Sequence, residues 1–188
     1  MTLYIKNMVC NRCKTAVAAE IKLVGLTQQS VELGEIVIYE SPSDEQIKLL
    51  KFRLEKIGFE LLDDPRRQII ERIKTCIIEL VHYNKGTKRH ENLSDILEQH
   101  LQKDYHGLSS LFSEVEGITI EHFHILQKIE RVKELLVYDE MNLSEIAFQT
   151  DYSSVSHLSH QFKKITGLTP THFKKIGHEK RRTLDAVQ

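Results

Sequence analysis

Cys10-Asn11-Arg12-Cys13 sets two thiols three residues apart, with Met8 just upstream. Two sulfurs at the start of a helix suit Cu(I) or another soft metal ion, because the helix N-terminus lowers thiol pKa and sulfur prefers soft cations. The same geometry serves a thiol–disulfide switch, and a third reading makes the module a vestige kept for dimerisation or another ligand. Structural zinc is poorly served: all ten His lie between His82 and His178, so the first 81 residues supply no His to complete a tetrahedral shell. Three Cys are too few for a disulfide scaffold and point to a reduced compartment. Cys76 falls on an apolar helical stripe and reads as core.

The second chemically loaded region is at the other end. The whole chain of 188 residues is near neutral, with 26 Lys+Arg against 27 Asp+Glu, but the charges are sorted. Residues 1–64 hold 8 basic and 10 acidic side chains, whereas residues 152–182 hold 7 basic ones and Glu179 alone as an acid. The basic residues are Lys163, Lys164, Lys174, Lys175, Lys180, Arg181 and Arg182; such charges neutralise phosphates and release counterions. Two compositions imply two modules. No apolar run approaches the ~18 residues of a membrane span, and Lys6 and Asn7 interrupt any signal-peptide core, so a cytoplasmic protein without membrane contact is expected. There is no Gly-rich phosphate loop or nucleophile elbow, and no paired carboxylates stand in a plausible cleft, so an enzyme is not expected.

The elements that position the thiols alternate in type. Leu3-Tyr4-Ile5-Lys6 reads as a strand, and Cys10 to Val24 as a helix with Ala16, Ala19, Ile21 and Leu23 as its buried positions. Val31-Glu32-Leu33 and Ile36 to Tyr39 form a hairpin around Gly34-Glu35. Ser43-Asp44-Glu45 opens a second helix with Ile47, Leu50, Leu54 and Ile57 on one face, Gly58 closes it, and Phe59 to Leu62 is the last strand. The order is a split βαβ unit of about 62 residues, and Asp63-Asp64-Pro65 marks its end. Beyond it, Ile69, Ile70, Ile73, Cys76, Ile77, Leu80 and Val81 form one helical stripe, Asn84 to Asn92 is a flexible loop, and the rest is helical.

That helical remainder contains a repeat. Leu93-Ser94-Asp95-Ile96 returns fifty positions on as Leu143-Ser144-Glu145-Ile146, and Leu108-Ser109-x-x-Phe112-x-x-x-x-Gly117-Ile118-Thr119 returns as Leu158-Ser159-x-x-Phe162-x-x-x-x-Gly167-Leu168-Thr169. A common register in both halves indicates two copies of one helix–turn–helix unit. Ser94 and Ser144 are the expected caps of each first helix, Asp104 and Ser154 those of each second helix. Leu108/Phe112 and Leu158/Phe162 mark the buried faces. Tyr105, His106 and Ser110 in one copy, and Ser153, Ser156, His157, His160 and Lys164 in the other, mark a polar face free for double-stranded DNA. Thr119 to Val137 reads as one helix carrying Ile120, Phe123, Leu126, Ile129, Val132, Leu135 and Leu136. It is about 28 Å long, against the ~34 Å between successive major grooves. His122 and His124 are expected to cap it or to face solvent.

From Gln127 through Pro170, including Leu143-Ser144-Glu145-Ile146-Ala147-Phe148 and Asp151-Tyr152-Ser153-Ser154-Val155-Ser156-His157-Leu158, the chain resembles the C-terminal signature of AraC/XylS-type bacterial transcription regulators; the likeness spans roughly residues 66–178. The resemblance implies two helix–turn–helix units joined by a long helix, base contacts from each second helix, and an indirect link to RNA polymerase. Ala147 matches the small residue that lets a unit's helices approach. Asp151 stands where the family usually has Gly, and Leu97 and Leu101 depart from its pattern in the first unit. Asn7-Met8-Val9-Cys10-Asn11-Arg12-Cys13 resembles the metal loop of heavy-metal-associated domains, with Asn7 in place of the usual Gly and Arg12 between the thiols. An α+β chain is therefore expected: a ferredoxin-like βαββαβ domain, residues 1–64, with Cys10 and Cys13 as ligands for Cu(I), then an all-α domain, residues 65–182, that binds DNA, with a homodimer as a further expectation. The rival reading is a Cu(I)-handling protein whose helical half docks a protein.

Overall fold

The computed structural model describes residues 1–83, 92–138 and 140–176. The expected loop at 84–92 lies outside them except for Asn92, as do His178, Lys180, Arg181 and Arg182. Cα packing divides the chain into two compact units, Met1–Cys76 and Ile77–Gln188.

In the first unit the chain runs β1 (Thr2–Lys6), α1 (Asn11–Leu23), β2 (Gln28–Glu32), β3 (Glu35–Ile38), α2 (Asp44–Lys56), β4 (Glu60–Leu62) and α3 (Pro65–Ile78), the last passing beyond the division. The sheet order is β2-β3-β1-β4 with every pair antiparallel. Alternation places Leu3 and Ile5 of β1, and Ile36 and Ile38 of β3, on one buried face. Against it lie Val17, Ile21 and Val24 from α1 and its end, and Leu50 and Leu54 from α2. The face of α1 differs from expectation. Cys13, Val17, Ile21 and Val24 recur at three- and four-residue steps and make the inner stripe, while Leu23 is 63% exposed and Ala19 exposed. Ile57 likewise turns outward, because α2 has ended at Lys56. The N-terminus of α2 is a full capping box: Ser43 Oγ accepts from the Gln46 N–H, and Gln46 Oε1 accepts from the Ser43 N–H.

The first unit continues past the expected boundary after Asp64. Although α3 starts at Pro65, it is tied to the sheet by Gln68 Nε2 donating to Leu62 O at 2.8 Å, Arg67 paired with Glu60 at 2.8 Å, and Glu71 accepting the Asn7 N–H at 3.0 Å. A charge-rich dipeptide marks an element boundary as readily as a domain boundary.

The second unit consists of a π-helical turn, Glu79–Tyr83, then α4 (Leu93–Leu101), α5 (Tyr105–Glu116), α6 (Ile120–Tyr138), α7 (Leu143–Gln149), α8 (Val155–Thr166) and α9 (Pro170–Ile176). The wider turn explains why Leu80 and Val81 are only half-buried instead of extending the stripe of Ile70, Ile73, Cys76 and Ile77. All seven apolar positions expected inside α6 are buried. No helix among the described residues is long and apolar enough to cross a membrane.

Gly34 carries the β2–β3 hairpin at φ +73°, and a Cβ there would stand 2.8 Å from Thr75 Oγ1. Gly34→Ala should therefore cost about 1 kcal/mol or more. A lower urea midpoint is expected, and an unchanged midpoint would show that the hairpin and α3 yield without strain.

Candidate functional site

The geometry of the second helix–turn–helix unit follows from its caps. Asn142, not Ser144, caps α7: its Oδ1 accepts from the Ser144 and Glu145 N–H groups at 2.9 and 3.0 Å, and Glu145 Oε2 returns a contact to the Asn142 N–H at 2.7 Å. Ser144 lies one residue inside the helix, so the offset-fifty match located the helix correctly and its cap wrongly. After α7 the chain turns through Asp151 at φ +55°, the left-handed conformation that Gly would adopt freely and that Asp tolerates. Ser154 Oγ then accepts from the His157 N–H at 3.1 Å and starts α8, as expected.

On α8, Leu158 and Phe162 are fully buried beside Ala147 and Ile146, which locks the helix against α7 and α6. Ser153, Ser156, His157, His160, Lys163 and Lys164 are exposed. These side chains share one outward face, with the two lysines in the last turn. Ser153 Oγ lies 3.1 Å from His157 Nδ1. The face offers hydrogen-bond donors and acceptors near its beginning and cations at its end, an arrangement able to meet base edges and phosphates together.

The first unit repeats the frame but not the face. Asp104 caps α5 as expected, accepting from the His106 and Gly107 N–H groups at 3.1 and 2.9 Å, which holds its carboxyl below the usual carboxylate range. Leu108 and Phe112 are buried. His106 and Ser110 are exposed, but Tyr105 is half-buried and its hydroxyl donates to Glu121; burial, then that bond and the charge of Glu121, push the phenol up. Tyr105 therefore ties α5 to the first turn of α6. The N-cap of α4 is Asn92, not the expected Ser94, which lies inside the helix; Asn92 makes no side-chain bond to backbone, and its Nδ2 donates instead to Asp95 Oδ2 at 3.4 Å. Asp95 stands where Glu145 closes the box in the second unit, one methylene too short to do the same. The turn also slips: α4 runs to Leu101, which is buried, and the left-handed residue is Gln102 at φ +53°. Leu97 is fully buried where Ala147 sits in the second unit, so the departures noted in the sequence become a longer first helix and a displaced turn.

Three features escaped the sequence reading. The repeat extends further, since His122-Phe123 and His172-Phe173 are also fifty apart. Phe123 packs on Phe112 with centroids 5.7 Å apart, and Phe173 on Phe162 at 5.5 Å, closing each unit in the same way. Thr119 and Thr169 each accept the N–H of the following His at 3.1 and 3.2 Å. Second, His124 does not face solvent: it is half-buried, and burial together with the charge of Lys128 pulls its pKa down to about 4. Third, Lys128 Nζ donates to Asp151 O at 3.0 Å and lies 4.1 Å from the centroid of the Tyr152 ring.

In the first unit, Cys10 occupies the N-cap of α1 without a side-chain cap bond, and its Sγ lies 3.2 Å from Cys13 Sγ. Both thiols are half-buried. Burial pushes the Cys10 thiol up, but the Cys13 thiol, the backbone N–H groups of Cys13 and Arg12, and the Arg12 charge together leave it below its ordinary value. Burial and the bond to Cys10 push Cys13 up. Asn7 adopts φ +73°, the conformation a Gly would supply, with its Nδ2 donating to Gly58 O at 3.0 Å. Met8 is 1% exposed within the core, and no group of three or more His, Cys, Asp or Glu able to hold a metal is found among the described residues.

Comparison with known proteins bears on the second unit. Residues 98–176 match the family described as "Helix-turn-helix domain". An uncharacterized HTH-type transcriptional regulator of Staphylococcus aureus is 33% identical over 86 residues, which are 45% of this chain and 12% of that protein. A counterpart from S. aureus strain MRSA252 is 31% identical over the same length and coverage. The chain thus spans 12% of the length of the curated relatives it matches. Among solved structures, the C-terminal domain of AraT, a response regulator from Geobacillus stearothermophilus, aligns with a TM-score of 0.50 at 22% identity, covering 64% of this chain and 92% of that one. That likeness is one of fold.

The state of His124 sets a pH dependence. Its folded pKa near 4 lies below the unfolded value of about 6.5, so over that interval the unfolded chain binds the proton and the folded one does not. The contribution to stability is complete above about pH 6.5 and is lost as pH falls toward about 4. His124→Gln should narrow the difference in urea midpoint between about pH 7 and about pH 5; an identical difference in the variant would show that other groups govern that window.

Proposed function

We propose that this chain is a sequence-specific DNA-binding transcription regulator of the AraC type whose N-terminal unit is a ferredoxin-like, heavy-metal-associated module. The observation that carries the first half is the duplicated helix–turn–helix frame with an exposed, cation-ended face on α8. The matched domain and the regulators named above support it. The βαββαβ order with an antiparallel β2-β3-β1-β4 sheet supports the second half.

DNA is engaged through Ser156, His157 and His160 at base edges and Lys163 and Lys164 at phosphates, with His106 and Ser110 as the first unit's outward groups. In the N-terminal unit the two thiols fit a soft, low-coordinate cation such as Cu(I), since they are adjacent, half-buried and, among the described residues, unaccompanied by the further ligands that a four-coordinate zinc requires. Cys10 and Cys13 would hold the ion as thiolates, with Cys10 ionising first.

A gel-shift titration tests the DNA reading. Sequence-selective binding should weaken by orders of magnitude between about 50 and about 200 mM salt, whereas absent or salt-insensitive binding would leave the rival, a protein-docking helical half. For the thiol pair, one equivalent of Cu(I) should be taken up against a chelator, and the double substitution Cys10→Ser, Cys13→Ser should abolish uptake. Undiminished uptake by that variant refutes the site.

A further inference from the structure

Lys128 of α6, Tyr152 and Ser153 of the turn, and His157 of α8 form a column with a buried root and an exposed tip. The Lys128 ammonium stands 4.1 Å from the Tyr152 ring centroid and is anchored by the Asp151 carbonyl at 3.0 Å. Tyr152 is only 7% exposed, and its ring meets the His157 imidazole edge to face, with centroids 5.2 Å apart at 89°. Ser153 Oγ approaches the imidazole from its other accessible atom, Nδ1, at 3.1 Å. An exposed histidine on a helix ordinarily samples several rotamers; this one is held by a ring on one side and a hydroxyl on the other.

We infer that the column presents His157 Nε2 as a fixed hydrogen-bond donor to one base edge in the major groove, with Lys128 as a positioning residue that itself touches no DNA. The inference rests on the DNA-binding reading above. When the Ser153 hydroxyl donates to Nδ1, the ring proton of neutral His157 sits on Nε2. In the imidazolium, Nδ1–H donates to the Ser153 oxygen and Nε2 again carries hydrogen. Both of these states turn a donor outward; the remaining neutral tautomer, with Nδ1–H donating to Ser153, would turn an acceptor outward and favour the cytosine amino group, the outcome the test below counts against the inference. Purine N7, guanine O6 and thymine O4 accept such a donor, while cytosine presents only its amino group in that groove, so cytosine is the rejected base. Lys128 is committed to the Asp151 carbonyl and the Tyr152 face, and burial pulls its pKa down to about 8 against the opposing charge of Asp151. The Tyr152 hydroxyl is buried with no hydrogen-bond partner among the described residues, so the ring, and not the hydroxyl, does the holding.

The test selects full-length chain on a randomised duplex pool, then measures Kd for all four bases at each selected position, with salt slopes and thermal midpoints, for the wild type and five variants. Wild type and Tyr152→Phe should reject cytosine at one position by roughly tenfold. His157→Ala should erase that preference at that position alone. Lys128→Met and Ser153→Ala should weaken it with the salt slope unchanged, and Lys128→Arg should restore it. A uniform loss of affinity in His157→Ala, a preference for cytosine at its position, an intact preference in Lys128→Met, or a salt slope reduced by about one unit in that variant would each overturn the inference. If Lys128→Met does not fold, His157→Ala and Ser153→Ala decide it. Failure of the wild type to select any sequence would sink the DNA-binding reading itself, a result distinct from all of these.

Discussion

Burial around helix α6 is the constraint on which the second unit depends. The π-helical turn, α5, α7, α8 and α9 all pack on it, and ten of its nineteen residues are buried. A single rod with so much of its circumference covered ties the positions of α5 and α8 to its own. Its apolar stripe is what the sequence shows, yet a second buried strip is polar. Gln127 Oε1 accepts from His82 Nε2 of the π-helical turn at 3.1 Å, and Glu130 and Lys133 form a buried pair at 2.6 Å. Buried charges of this kind add little net stability over apolar packing, but losing one partner leaves the other uncompensated.

Periodicity located every helix of the repeat and both hydrophobic anchors, because Leu108/Phe112 and Leu158/Phe162 obey a spacing that tertiary contacts reinforce. It failed where one residue of register matters. Asn142 and Ser144 are both good caps by composition, and only the closing contact from Glu145 distinguishes them. Tyr105 was grouped with the polar face because its hydroxyl is polar, but its equivalent fifty positions on is Val155, a half-buried residue. Strict use of the repeat would have paired His157 with Gly107 and His160 with Ser110. In the N-terminal unit the thiol pair, the hairpin and helices α1 and α2 are legible; the inner face of α1 is not, since Ala16 and Ala19 are small enough to read as core while Cys13 and Val17 supply the actual contact.

The paired positions also show that the duplication has diverged electrostatically. Helix α5, Tyr105–Glu116, carries no Lys or Arg and has Glu114 and Glu116 near its end, whereas α8 carries Lys163 and Lys164 and no acid. Gly107 puts no side chain where His157 projects. Equal frames with unequal faces mean that, under the DNA-binding reading, phosphate neutralisation falls mainly to the second unit, and the first contributes His106 and Ser110 at lower electrostatic gain.

A comparable asymmetry governs the thiols. Cys10 sits at the first turn of α1, where backbone N–H groups and Arg12 favour its thiolate, while Cys13, one turn on and against the core, is pushed the other way. Of the two sulfurs, 3.2 Å apart, that of Cys10 is the readier to ionise. Under the soft-cation reading, both thiols bind as thiolates, so binding would release protons and tighten as pH rises. The Asn7 turn that shapes this loop is anchored to Gly58 and to Glu71 of α3. The loop's conformation is therefore set by residues more than fifty positions away in sequence.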